Sequence, residues 1–196
     1  MKKIILGSTS IYRRHLLEKT GLIFLTEKPN FDEDSTKKFL LKNKRSPLEI
    51  AEALSRGKAQ SIDATDRLVI AGDQLVHLDG QILGKAGSFE KAFEQLKQMN
   101  GRQHELITAV TLRTSDQTLH LNHLTQLFMK KLSDQELTNY LKKDTPYDAA
   151  GSYKIEESGL ILFEKIETDD FSAIQGLPLL WITNQLKGLG YEFFKN

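Results

Sequence analysis

The chain contains no cysteine. That excludes a disulfide scaffold, a thiol nucleophile, finger-type zinc sites and iron–sulfur ligation, and it fits a reducing compartment. No stretch approaches the ~18 apolar residues of a membrane span. The N-terminal run Ile4-Ile5-Leu6 is far too short for a signal peptide. Neither charge dominates: 27 basic and 26 acidic side chains give a formal net charge of +1, where a general nucleic-acid binder carries a strong basic surplus. There is no internal repeat, low-complexity segment or inter-domain linker. These absences leave a soluble cytoplasmic protein with no nucleic-acid or membrane partner, folded as a single domain over residues 1–196. A chain of 196 residues can bury roughly 70% of its unfolded surface, enough for a core without staples. With 39% apolar and 27% charged residues, the composition is ordinary for a globular protein.

Helical and strand patterns alternate along the chain. Lys3 to Ser8 reads as a buried strand ending in the small-residue turn Gly7-Ser8-Thr9-Ser10. A helix follows with Leu16 and Leu17 inward and stops at Gly21. Ile23 to Thr26 is a second short strand. Residues 30–45 are polar and read as a mobile loop carrying the acidic cluster Asp32-Glu33-Asp34. Ser46-Pro47-Leu48-Glu49 is a capping box with proline at the first helical position, starting a helix to about Ile62. Arg67 to Ala71 is a strand, and Gln74 to Leu83 a hairpin around Asp79-Gly80. Ser88 caps a helix ending near Asn100. Two long strands occupy 103–113 and 118–130, a second capping box starts at Ser133, Leu160 to Ile166 is a strand, and Pro178 to Leu186 a final helix. The class is α/β with parallel and antiparallel pairing.

Four places carry chemistry. The turn at Ser8 to Ser10 opens a helix, whose dipole and backbone N–H groups favour an anion, and Arg13 and Arg14 follow within one turn; the plain alternative is a serine cap with two solvated arginines. Asp73 stands just past an apolar strand, where a carboxylate reaches a cleft or merely makes a turn. Asp32 and Glu33 are oxygen ligands suited to a hard cation, or a solvated acidic loop. Gly80-Gln81-Ile82-Leu83-Gly84-Lys85 has three residues between its glycines where a phosphate loop needs four, and Ala86 stands where the magnesium-binding hydroxyl belongs, so it is a hairpin bearing a lysine. The five histidines show no metal-ligand spacing.

Taken in order, eight segments resemble those of the Maf family of nucleoside triphosphate pyrophosphatases. They are Leu6-Gly-Ser-Thr-Ser-Ile-Tyr-Arg-Arg14, Phe31-Asp-Glu33, Ala53-Leu-Ser-Arg-Gly-Lys-Ala59, Ala71-Gly-Asp-Gln74, Leu83-Gly-Lys85, Gly101-Arg-Gln-His104, Ala150-Gly-Ser-Tyr-Lys-Ile-Glu156 and Gly176-Leu-Pro178. The resemblance implies an elongated mixed parallel/antiparallel sheet with two lobes flanking a cleft, of the Maf/inosine-triphosphatase-like kind. It implies cleavage between the α- and β-phosphates, dependent on a divalent metal cation (magnesium, manganese or cobalt), and it allows a homodimer. Carried over by position, Asp73 is the proton acceptor, Ser8, Arg13, Lys58 and Lys85 bind phosphate, and Glu33 binds the metal. Ile11, Gly7 and Ala86 depart from the usual proline, alanine and proline.

The family's branches differ at three positions that set base choice, here Tyr12, Gln74 and Glu156. An aromatic, a glutamine and a glutamate resemble the 7-methyl-GTP branch, although tryptophan is usual where Tyr12 stands. Arginine, threonine and glutamine mark the branch acting on dTTP and UTP. Methylation makes guanine cationic, and an aromatic face attracts a cation by ~0.5–2 kcal/mol, while a carboxylate accepts from the guanine edge. The expected activity is hydrolysis of 7-methyl-GTP. The alternatives are a dTTP/UTP pyrophosphatase and a non-catalytic nucleotide-binding regulator of cell division.

Overall fold

The computed structural model describes residues 2–194. Its strands are β1 (Lys3–Gly7), β2 (Phe24–Thr26), β3 (Arg67–Leu78), β4 (Gln81–Leu83), β5 (Gln103–Arg113), β6 (Thr118–Met129) and β7 (Phe163–Glu167). Its α-helices are α1 (Ile11–Glu18), α2 (Glu33–Lys42), α3 (Pro47–Gln60), α4 (Phe89–Met99), α5 (Asp134–Asp144), α6 (Phe171–Ile174) and α7 (Leu179–Gly188). The strands hydrogen-bond in the order β2-β1-β3-β5-β6-β7, with β4 paired to β3. β1 runs parallel to β2 and to β3, whereas β3–β4 and β6–β7 are antiparallel. The class is therefore α/β with a mixed sheet, as expected. Among the described residues no helix is long and apolar enough to cross a membrane.

Three local expectations are corrected. Residues 30–45 are not a loop but contain α2. Asp32 caps it, its carboxylate accepting from Ser35 N at 3.0 Å, and Glu33 and Asp34 occupy the positive end of the helix dipole. The acidic cluster is helix-start chemistry. It escaped detection because none of the ten helix residues is buried, so no apolar stripe marks it. β3 is one strand of twelve residues rather than a strand ending at Ala71 and a separate hairpin arm. Gly72 lets it continue, since a Cβ there would stand 3.0 Å from the Ala109 carbonyl of β5. Finally, the segment from Leu160 begins in a 3₁₀ turn (Gly159–Leu162) before β7.

The chain forms two compact units. The first comprises the chain up to Asp73, then Thr108–His123, then the chain from Asp170. β1 and the first half of β3, which pair in parallel, are buried and apolar on both faces. Ile4, Leu6, Leu68, Ile70, Val110 and Leu112 pack with Leu16 and Leu17 of α1 and Ile182 and Leu186 of α7. The alternate residues Ile5, Val69 and Ala71 pack with Ala59 of α3, Ile62 and Ala64.

The second unit is Gln74–Ile107 and Leu124–Asp169. There α4 and α5 bury Leu96, Met99, Leu137 and Leu141. His104 is buried among aromatic rings, with centroids 5.7 Å from both Tyr153 and Phe163. Burial, then the neighbouring His77, pushes its pKa down to about 4. His104 is thus neutral in the fold, while an unfolded histidine takes a proton near 6.5. Stability held above pH 6.5 is lost as pH falls towards 4, by about 3 kcal/mol across the full gap. In urea unfolding between pH 7 and 4.5, His104→Asn should lose less stability on acidification than the wild type. Equal losses would show that His104 does not carry the acid sensitivity.

Candidate active site

α3 and β3 of the first unit present the charged centre. The capping box that starts α3 is complete, Ser46 accepting from Glu49 N while Glu49 accepts from Ser46 N at 2.8 Å. Three turns on, Lys58 leaves the helix with its ammonium 2.7 Å from Asp73 Oδ1 and 2.6 Å from Glu33 Oε2. Asp73 follows Val69 and Ala71 on the face of β3 that α3 covers. The side chains of Asp73 and Lys58 are only 6% and 13% exposed, whereas Glu33 is 48% exposed. Asp73 Oδ2 is buried and has no hydrogen-bond partner. A buried acceptor left unsatisfied costs about 1–3 kcal/mol, more when charged, so this oxygen marks a place where a ligand's proton or cation would be stabilising.

Arg13 supplies a second cation. Its Nε donates to the Gly176 carbonyl at 3.1 Å. Burial lowers its pKa, while Asp73 and then Glu33 pull it back up; an arginine remains charged throughout. Gly176 has φ of +118° and a Cβ there would press on Arg13 Cγ at 3.2 Å, so only glycine fits. The loop carrying it is fixed by Asp170, which accepts from Ser172 N at 3.0 Å and from Leu180 N at 2.8 Å. Thr108 adds a bond from its hydroxyl to the Ala173 carbonyl at 2.9 Å. The Gly176 segment is thus the seat of Arg13.

The turn before α1 takes the plainer of its two anticipated forms, a serine cap. Ser10 is the cap, accepting from Arg13 N at 3.4 Å, and Ser8 Oγ accepts from Ser10 N at 3.1 Å. Ser8 N donates to the Leu6 carbonyl at 3.0 Å. Three amides of the anticipated anion cradle are therefore already engaged. Ser8 and Tyr12 are each partly buried.

Metal binding can be tested against the donors present. Among the described residues no group of three or more histidine, cysteine or acidic side chains forms a cage. Glu33 and Asp73, with one orphaned buried oxygen, are instead the sparse donor set of a cation held by one or two carboxylates, waters and substrate phosphates, the usual arrangement for magnesium. The residues fit that use.

The second unit holds Gln74, Lys85 and Glu156. Lys85 bridges Ala150 across an antiparallel pair, and Gly151 N donates to the Leu83 carbonyl at 3.0 Å. Two segments distant in sequence, Leu83–Lys85 and Ala150–Glu156, are thereby joined. Gln95 of α4, a residue with no sequence signal of its own, clamps both: its amide donates to the Gly84 carbonyl at 3.0 Å and its Oε1 accepts from Ser152 at 2.6 Å. Gly151 and Ser152 take left-handed φ values of 71° and 59°. Tyr153 and Ile155 are buried, whereas Glu156 and Lys85 are both exposed. Protein crowded around the Glu156 carboxyl still pushes its pKa up, with Glu157 adding to the effect.

Comparison with known proteins is consistent across the chain. Residues 3–189 match the family model described as Maf-like protein. The 7-methyl-GTP pyrophosphatase of Bdellovibrio bacteriovorus is 44% identical over 91% of this chain and 93% of its own. That of Cupriavidus pinatubonensis is 40% identical over 99% of this chain and 96% of its own. A nucleoside triphosphate pyrophosphatase of Pelagibacter ubique is 40% identical over 95% of this chain and 98% of its own.

Proposed function

Since the chain belongs to the Maf family, we propose that it is a cytoplasmic nucleoside triphosphate pyrophosphatase converting 7-methyl-GTP to 7-methyl-GMP and pyrophosphate. The observation that carries the reading is the buried, unpartnered Asp73 Oδ2 beside the cations of Lys58 and Arg13. Such an oxygen is poised to accept a proton from a water attacking the α-phosphorus. Lys58 keeps Oδ1 occupied and so directs the proton to Oδ2. Arg13, Lys58 and Lys85 are assigned to the phosphate oxygens, and Arg13 and Lys58 offset charge that builds on the departing pyrophosphate. Ser8 is assigned a phosphate contact through its hydroxyl.

Glu33, with waters and the substrate phosphates, would hold a divalent cation (magnesium, manganese or cobalt). When bound, it would neutralise triphosphate charge and polarise the scissile linkage. Glu33 suits the first contact, because it is half-exposed while Asp73 is enclosed. Base choice is assigned to Tyr12, Gln74 and Glu156, an aromatic face, an amide and an anion matching a cationic purine. Several relatives of similar length that bear the name 7-methyl-GTP pyrophosphatase support 7-methyl-GTP as the substrate.

The test is pyrophosphate release by the purified chain from GTP, 7-methyl-GTP, UTP and dTTP, each with magnesium, manganese or cobalt. 7-methyl-GTP should give the highest kcat/KM. A preference for UTP or dTTP would overturn the assigned base, and no release from any triphosphate would overturn the enzymatic reading.

A further inference from the structure

Gly57 lies inside α3, next to Lys58. Glycine weakens a helix interior, and this one does not have the positive φ that would require it. Its reason is steric. A Cβ at Gly57 would come within 2.5 Å of Phe31 Cζ, because the phenyl ring rests on the bare helix backbone. Phe31 is two residues before Glu33, and its carbonyl accepts from Glu33 N at 3.1 Å. α2, which Glu33 opens, has no buried residue along its ten positions. The ring on Gly57 and the Glu33–Lys58 ion pair both tie the start of α2 to α3.

We infer that Phe31 and Gly57 form a positioning device for Glu33: the ring, seated on a helix position kept free of side chain, sets where the Glu33 carboxylate meets Lys58 and the incoming cation. The device rests on the metal-binding role proposed above for Glu33. Its logic is economical, since the ion pair alone, with Glu33 half in solvent, contributes little. Apolar seating of the neighbouring ring supplies the rigidity that the salt bridge lacks. A group that orients a metal-ligating side chain typically matters 10–100-fold in metal affinity, roughly as much as the shell it supports.

Three variants test the inference: Gly57→Ala, Phe31→Ala, and Gly57→Ala combined with Phe31→Leu. One readout is backbone amide exchange over residues 31–42 in the protein without nucleotide or metal. The other is the magnesium concentration giving half-maximal pyrophosphate release. Both single variants should exchange faster across 31–42 while β1 and β3 stay protected as in wild type. Both should need about 10–100-fold more magnesium, with the ranking of triphosphates unchanged. The double variant, in which the smaller leucine leaves room for the new methyl group, should move both readouts back towards wild type. If Gly57→Ala merely stabilises the helix and leaves exchange and magnesium demand at wild-type values, the inference is overturned. Should Gly57→Ala fail to fold, Phe31→Ala introduces no overlap and decides by the same two readouts. A wild-type chain that releases no pyrophosphate defeats the proposed function, and the exchange measurement then still decides whether Phe31 holds the start of α2.

Discussion

Asp73→Asn is expected to fold as the wild type does and to lose about 10²–10⁴-fold in kcat, the usual cost of removing a general base. The fold should survive because the amide oxygen can still accept from Lys58, as Oδ1 does at 2.7 Å. The new NH₂ group would replace Oδ2, which has no protein partner to lose. What disappears is the negative charge that makes Oδ2 a proton acceptor. The thermal midpoint should therefore shift by only a few degrees while turnover collapses for every triphosphate alike. Magnesium titration separates the two uses of a carboxylate in this place. A proton acceptor is not restored by any metal concentration, whereas a lost metal ligand is partly restored by more metal. Turnover within a few-fold of wild type at ordinary magnesium would remove Asp73 from the chemistry altogether.

The strand and helix pattern of this chain was largely legible because its cores are built from periodic apolar residues and strong caps. Ser46, Ser88 and Ser133 all cap the helices anticipated for them. The failures have two physical roots: a helix without an apolar stripe leaves no periodic signal, and local pattern cannot report what a neighbour contributes. α2 was missed because its cap and dipole charges hold it without a buried stripe. The continuity of β3 was missed because Gly72 reads as a breaker in sequence, yet in space it is the close approach to Ala109 that requires it. The charged centre divides the same way. Asp73, Lys58, Glu33 and Arg13 were named from residue type and resemblance, and the structure gathers all four in the first unit. Gln95, Asp170 and the Phe31–Gly57 contact were not named, since each acts by holding backbone or ring atoms of another segment. A glycine within a strong helical pattern was the one sequence signal that could have pointed to Gly57.

Glu156→Gln is expected to lower kcat/KM for 7-methyl-GTP by roughly 10–150-fold, the equivalent of one charge-assisted hydrogen bond at about 1.5–3 kcal/mol. Activity on UTP and dTTP should hold or rise. The substitution keeps the side chain's size but removes its charge and turns one acceptor into a donor, which would meet the donors of the guanine edge. The local scaffold should tolerate it. The segment is fixed by buried Tyr153 and Ile155, by Lys154 N donating to Tyr140 at 3.0 Å and by Ser152 on Gln95, none of which involves the Glu156 carboxylate. A pH profile gives an independent check. Crowding by the protein raises the pKa of Glu156, so on acidification it takes its proton earlier than an ordinary carboxylate would. In the wild type the advantage of 7-methyl-GTP over UTP should therefore shrink as pH falls from neutrality, while in Glu156→Gln the ratio should stay flat. Metal concentration is held constant throughout, because a metal-binding Glu156 would depress all substrates together. Equal losses across the panel, or a wild-type ratio indifferent to pH, would take Glu156 out of base recognition.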